Sequence, residues 1–138
     1  FCVMGGIFSE GIDLTADRLI GVLIAGPGIP QVCREREFLR AYFDGQGISG
    51  YDYAYLYPGM NKVLQSAGRV IRTEEDEGLI LLLDDRFLDY RYRKVFPREW
   101  KDFKICNLNS AAENVKNFWS VREASKTSGI NPEIMRES

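Results

Sequence analysis

Two uninterrupted apolar runs constrain this chain more than anything else in it: "RLIGVLIAG", Arg18 to Gly26, and "GLILLLDDR", Gly78 to Arg86. Each has the length of a strand and neither alternates polar with apolar. Such runs suit strands buried on both faces, as in a parallel sheet covered by helices. "GPGIP" ends the first with strong turn punctuation, and two carboxylates end the second. Between them lie two helical patterns. "VCREREFLRAYFD" carries Val32, Phe38, Leu39, Tyr42 and Phe43 as its apolar residues, and the other is centred on "MNKVLQSAGRVIR". Phe1 to Phe8 reads as a further short strand, broken by Gly5-Gly6. Ser110, with Glu113 three residues on, reads as a capping box opening the helix "AAENVKNFWSVRE". Strands separated by helices predict an α/β fold with a mainly parallel sheet and flanking helices. Ligands bind such sheets at loops after the carboxyl ends of strands, which directs attention to "SEGID" and "DDR".

The second helical pattern has two distinct faces. At about 3.6 residues per turn, Met60, Val63, Leu64, Ala67, Val70 and Ile71 form a core-facing stripe. Gln65, Arg69 and Arg72 are spaced i, i+4, i+7 on the opposite face, so the pattern predicts one line of polar side chains. For a helix considered alone, a solvated surface face is the ordinary explanation.

Composition narrows the chemistry. At 138 residues the chain is about one domain long. Its formal charge of −2 gives no global attraction to nucleic acid, so any such contact must come from a local patch or from backbone amides. Histidine is absent, which removes histidine bases, Ser-His and Cys-His pairs, and histidine-ligated zinc. Cys2, Cys33 and Cys106 are odd in number and far apart. A disulfide framework or cysteine metal site is not expected, and a reducing, cytoplasmic setting is. Neither a transmembrane run nor a signal peptide is visible, so no membrane partner is expected. The chain opens at Phe1 inside an apolar run, "FCVMGGIF", as expected of a fragment excised from a longer protein.

Other patterns fail on context. "GQGISG", Gly45 to Gly50, has the G-x-G-x-x-G spacing but follows a helix and leads into "YDYAYLYPG", where a dinucleotide loop needs a strand before and a helix after. No G-x-x-x-x-G-K-[ST] occurs, so the chain has no phosphate-cradling P-loop. Asp84 and Asp85 read as a strand end paired with Arg86 rather than as a metal or acid/base pair. Tyr51, Tyr53, Tyr55 and Tyr57 alternate as one face of an extended segment, better suited to packing than to stacking on bases.

Two remaining segments, "GGIFSEGIDL" and "QSAGRVIR", resemble motifs V and VI of the second RecA-like domain of superfamily 2 helicases, in the XPD/DinG-like branch. "FSEGIDL", "QSAGRVIRTEEDEG" and "LLLDDRFLDYRYRKVFP" carry the likeness over roughly Phe1 to Trp100. The resemblance implies a RecA-like second helicase domain in residues 1–104; the capping box puts a C-terminal helix packed on it in 105–124, and the polar composition, with Gly129 and Pro132, a flexible tail in 125–138. The resemblance also implies ATP in a cleft against the N-terminal RecA-like domain of the same protein, which holds the P-loop, most of the Mg²⁺ contacts and, in many members, an iron–sulfur cluster. It makes Arg72 the arginine finger, Arg69 a second γ-phosphate contact, Gln65 a positioning group and Gly68 the residue that lets the cleft close. Gly11 would admit close backbone approach and Asp13 would bond near the ribose or couple to motif VI. Ser9 and the backbone at Glu10 would touch single-stranded DNA. Arg91, Arg93 and Lys94 would extend that track, although a solvated basic stretch explains them equally well. The competing readings are a non-catalytic RecA-like module that binds protein or nucleic acid, and an α/β protein that binds a small molecule.

Overall fold

The computed structural model describes residues 3–4, 19–71 and 76–128, with side chains through residue 124. The chain forms two compact units, Phe1–Arg98 and Glu99–Ser138.

In the first unit, β1 (Gly21–Ile24) and β2 (Leu79–Leu82) pair in parallel, in register from Gly21↔Leu79 to Ile24↔Leu82. The crossover runs through helix α1 (Arg34–Gly45), a π-helical turn (Asp52–Leu56) and helix α2 (Tyr57–Ala67). A 3-10 turn (Asp85–Leu88) and the short helix α3 (Tyr90–Arg93) follow β2. The α/β expectation therefore holds for the described residues, and both apolar runs are strands. The expected strand in residues 1–8 lies outside the described residues except at 3–4. Burial on both faces does not hold: Ile24 is 2% exposed but Leu23 is 67% exposed, and β2 is half-buried throughout.

The core centres on Leu56, Met60 and Val63, with Ile24, Ala54, Tyr55, Ala67, Val70, Phe87 and Tyr92 around them. Burying a side chain of this size contributes about 1.5–3 kcal/mol. Glycine lets α2 sit close: a Cβ at Gly59 would lie 2.6 Å from Pro27 O, in the loop that follows β1.

Three local expectations in the first unit need correcting. The tyrosine segment is helical, not extended, and its geometry follows from Pro58. Proline has no N–H, and its ring collides with the carbonyl four residues back, here Ala54. Widening the preceding turn relieves the collision, and the Tyr57 N–H donates to Asp52 O, the i−5 acceptor of a π-helix. Proline itself is tolerated in the first turn of α2. Tyr55 is consequently buried while Tyr53 stays exposed.

The polar line of Gln65, Arg69 and Arg72 does not form on one helix, because α2 ends at Ala67. Gly68, a poor helix former, is its C-cap, and the Gly68 N–H donates to Leu64 O at 2.8 Å. Met60, Val63, Ala67 and Val70 of the expected stripe are buried, whereas Ile71, beyond the helix, is 43% exposed.

Helix α1 buries no residue at all, with Phe38 74% and Tyr42 62% exposed. Of the apolar residues expected to seat it, Phe43 stacks on Tyr53, while Val32, Phe38, Leu39 and Tyr42 stay exposed. Polar groups supply the other contacts.

In the second unit, α4 (Leu108–Ser128) is capped by Asn107, three residues before the expected Ser110. Asn107 Oδ1 accepts from the N–H groups of Asn109 at 3.0 Å and Ser110 at 2.9 Å. Ser110 Oγ accepts from the Asn107 N–H at 3.1 Å, so serine is the returning arm of the box and not its start. One turn apart on α4, the Arg122 guanidinium lies 4.3 Å from the Phe118 ring centroid. Among the described residues, no helix is long and apolar enough to cross a membrane.

Candidate functional site at the end of helix α2

The core sets the direction of α2. Met60, Val63 and Ala67 face inward, and Gly59 presses on the Pro27–Ile29 loop. Gln65 is thereby left exposed on the outer face. Gly68 closes the helix, where a Cβ would press to 3.3 Å from Leu64 O. Arg69 follows in the turn, half-buried, its backbone N–H reaching Ser66 O at 3.4 Å. Three of the predicted site residues, Gln65, Gly68 and Arg69, therefore share one short stretch at the carboxyl end of α2. Arg72, and the motif V residues Ser9, Glu10, Gly11 and Asp13, lie outside the described residues.

At the carboxyl ends of the two strands, Asp84 and Arg86 form a fork. Arg86 Nε donates to Asp84 Oδ1 at 2.9 Å and Nη2 to Oδ2 at 2.8 Å, and the Arg86 backbone N–H adds a third bond at 2.9 Å. This guanidinium holds the Asp84 carboxyl below its usual range, and the carboxylate holds Arg86 above its own. The pair lies over Gly26, whose φ of 106° favours glycine and where a Cβ would be 3.4 Å from both side chains. Asp84 is committed to Arg86, as the sequence suggested. Among the described residues, no acidic, histidine or cysteine group is arranged to hold a metal.

The basic-aromatic segment is more structural than its composition suggested. Lys94 Nζ pairs with Asp52 Oδ2 at 2.8 Å, which raises the lysine above its ordinary value. Asp52 is only 5% exposed, and its Oδ1 has no hydrogen-bond partner among the described residues. Arg91 lies over the Tyr51 ring, 5.8 Å from the centroid. Burial, with a hydrogen bond that its hydroxyl donates to Tyr51, pushes the Tyr92 phenol up to about 12.

Sequence reasoning missed the group that organises the approach to α2. From α1, Arg36 Nη1 donates to Ala54 O at 2.6 Å, and Glu37 Oε1 accepts from Tyr55 Oη at 2.6 Å. The carboxylate pushes the Tyr55 phenol up to about 12. The available signal was Pro58, whose missing N–H leaves a carbonyl in need of another donor.

Over residues 1–103 the sequence matches the helicase C-terminal domain family. The chain belongs to that family, in its XPD/DinG branch. It is 29% identical over 126 residues to a probable ATP-dependent helicase of Methanocaldococcus jannaschii, covering 83% of this chain and 19% of that protein. It is 35% identical over 101 residues to the ATP-dependent DNA helicase DinG of Photobacterium profundum, covering 72% of this chain and 14% of that one. To the 3'-5' exonuclease DinG of Staphylococcus epidermidis it is 31% identical over 97 residues, covering 70% and 10%. The chain thus spans between a tenth and a fifth of the length of these relatives. In this helicase C-terminal domain, the stretch from Gln65 through Arg69 belongs to the matched region, as do Asp84 and Arg86.

Proposed function

We propose that this chain is the second, RecA-like motor domain of an ATP-dependent DNA helicase, a piece of a longer cytoplasmic protein, and that it supplies the arginine finger to a nucleotide held mainly by the N-terminal RecA-like domain. One observation carries the reading: a core-anchored helix ends with Gln65 exposed on its outer face and Arg69 half-buried in the turn that follows, with Arg72 three residues further along the chain. Guanidinium forks suit phosphate oxygens, donating paired hydrogen bonds without losing their charge. Arg72 is the finger, Arg69 the second γ-phosphate contact and Gln65 the group that orients them. Gly68 gives the turn the close approach the cleft requires. Mg²⁺ belongs mainly with the partner domain, as the family resemblance implies. Gly11 and Asp13 serve the nucleotide side, and Ser9 with Glu10 the single-stranded DNA side. Any iron–sulfur cluster belongs to the first domain: the three cysteines here fall short of the four ligands such clusters take.

The test uses the full-length protein. Arg72→Ala should leave ATP and single-stranded DNA binding within a few-fold of wild type while DNA-stimulated turnover falls on the order of 10³–10⁵-fold. The loss appears in kcat because the contact forms mainly in the transition state. Arg72→Lys should rescue poorly, since an ammonium cannot reproduce the fork. Near-normal turnover in Arg72→Ala would reject the assignment and favour a binding-only module.

A further inference from the structure

We propose that Arg36 is a positioning residue for this motor domain: by holding Ala54 O it locks the π-helical turn, and the turn sets the rotation at which α2 presents Gln65 and Arg69. The inference rests on the function proposed above.

Two grips flank the turn. On one side α1 holds three consecutive residues, since Arg36 bonds Ala54 O, Glu37 accepts from Tyr55 Oη, and the Phe43 ring stacks on Tyr53 at 4.3 Å. On the other side Gly59 presses on Pro27 and Ile29, while Met60 and Val63 are fully buried. A π-helical turn accommodates one residue more than an α-helical one. Reversion to α geometry between the grips would rotate one side against the other by about 100°, the angle per residue of an α-helix. Gln65 and Arg69 would then swing away from their direction, or α1 would lose its hold. Ala54 is 0% exposed, so with the guanidinium in place its carbonyl has no solvent to bond. Nor can the i+4 position of an α-helix supply the bond, because Pro58 has no N–H to give. Pro58 widens the turn, and a donor arriving from 18 residues upstream holds the carbonyl that the widened turn leaves without its α-helical partner. Arg36 touches no substrate in this scheme. It acts through the register of α2.

The experiment compares Arg36→Met, Arg36→Lys and the double variant Arg36→Met/Pro58→Ala in the full-length protein. Pro58→Ala returns an N–H to Ala54 O, so the double variant satisfies the carbonyl by the α-helical route. Arg36→Met should lower the kcat of DNA-stimulated ATP hydrolysis roughly 10–100-fold, the scale of a misplaced catalytic group, with the KM for ATP within about twofold. Arg36→Lys, which keeps a donor, should recover part of it. The double variant should regain the wild-type melting temperature while kcat stays low. Recovery of kcat together with the melting temperature would overturn the proposal, since Arg36 would then do no more than satisfy a carbonyl. Failure of the double variant to regain stability would overturn it as well. If Arg36→Met does not fold, the double variant alone decides. Normal turnover in Arg36→Met beside a dead Arg72→Ala sinks this inference only, whereas normal turnover in both sinks the finger assignment.

Discussion

Helices α1 and α2 read alike in sequence and are held in opposite ways. They have 12 and 11 residues, and each shows an apolar stripe at helical spacing. Helix α2 buries Gly59, Met60, Val63 and Ala67, whereas α1 buries nothing. What fixes α1 is directed bonding: one guanidinium, one carboxylate and one stacked ring, all aimed at the π-helical turn. A hydrophobic stripe shows which residues could be buried, but not whether a surface exists to bury them. In this molecule the burial-held helix carries the candidate site. The bond-held helix sets the geometry of the turn leading into it.

The largest effect should come from breaking the burial side of that contrast. Met60→Ala removes a side chain that is 0% exposed and leaves a cavity, at a cost of about 2–5 kcal/mol. Chemical denaturation of the chain measures it. A cost below about 1 kcal/mol would mean that α2 is not held by its core face. Gly59→Ala should rank next, at about 1–3 kcal/mol. The new Cβ would meet the Pro27 carbonyl at 2.6 Å, and backbone cannot swing aside as a flexible side chain can.

The contrast also shows what could be read from the chain directly. Both strands were legible because apolar runs of that length have few other uses, and parallel pairing followed from the helices between them. Asp84–Arg86 was legible because the partners sit two residues apart. The π-helical turn was not. It depends on Ala54 O meeting Arg36, a pairing that no local pattern reports. The end of α2 was misplaced because periodicity runs smoothly through Gly68 while the backbone does not. Within the candidate site, family wording pointed to Gln65, Gly68 and Arg69, and the structure places all three at one helix end. In the function proposed, their roles depend on a partner domain. Exposure of Phe38 and Leu23 could not be read either, since hydrophobicity carries no information about what covers it.

The bonds of the turn should respond to alkali. Tyr55, raised to about 12 by Glu37, and Lys94, raised by Asp52, are both bound more tightly to their protons in the folded state. A raised folded pKa contributes stability that is complete below the unfolded value, about 10 for tyrosine and 10.4 for lysine, and is lost as pH rises through the folded one. The melting temperature should therefore hold to about pH 10 and fall above it. Tyr55→Phe should make that fall shallower, because its contribution is gone while those of Lys94 and Tyr92, also raised, remain. An unchanged alkaline slope in Tyr55→Phe would place the stabilising bond elsewhere.

The smallest effects should separate two aromatics of α1, only five positions apart. Phe43 is half-buried and stacks on Tyr53, an arrangement worth about 0.5–1.5 kcal/mol beyond burial. Phe38 is 74% exposed, on a helix with no buried residue. If bonds toward the turn hold α1, Phe43→Ser should destabilise the chain measurably, whereas Phe38→Ser should stay within about 0.5 kcal/mol, as for a surface substitution. The apolar stripe expected from periodicity makes the opposite prediction, with Phe38 at its centre and a cost of several kcal/mol on removal, as for a core phenylalanine. Paired denaturation curves decide between them. Equal losses at the two positions would show that α1 rests on its apolar face after all, and would remove the reason for treating α1 and α2 as helices of different kinds.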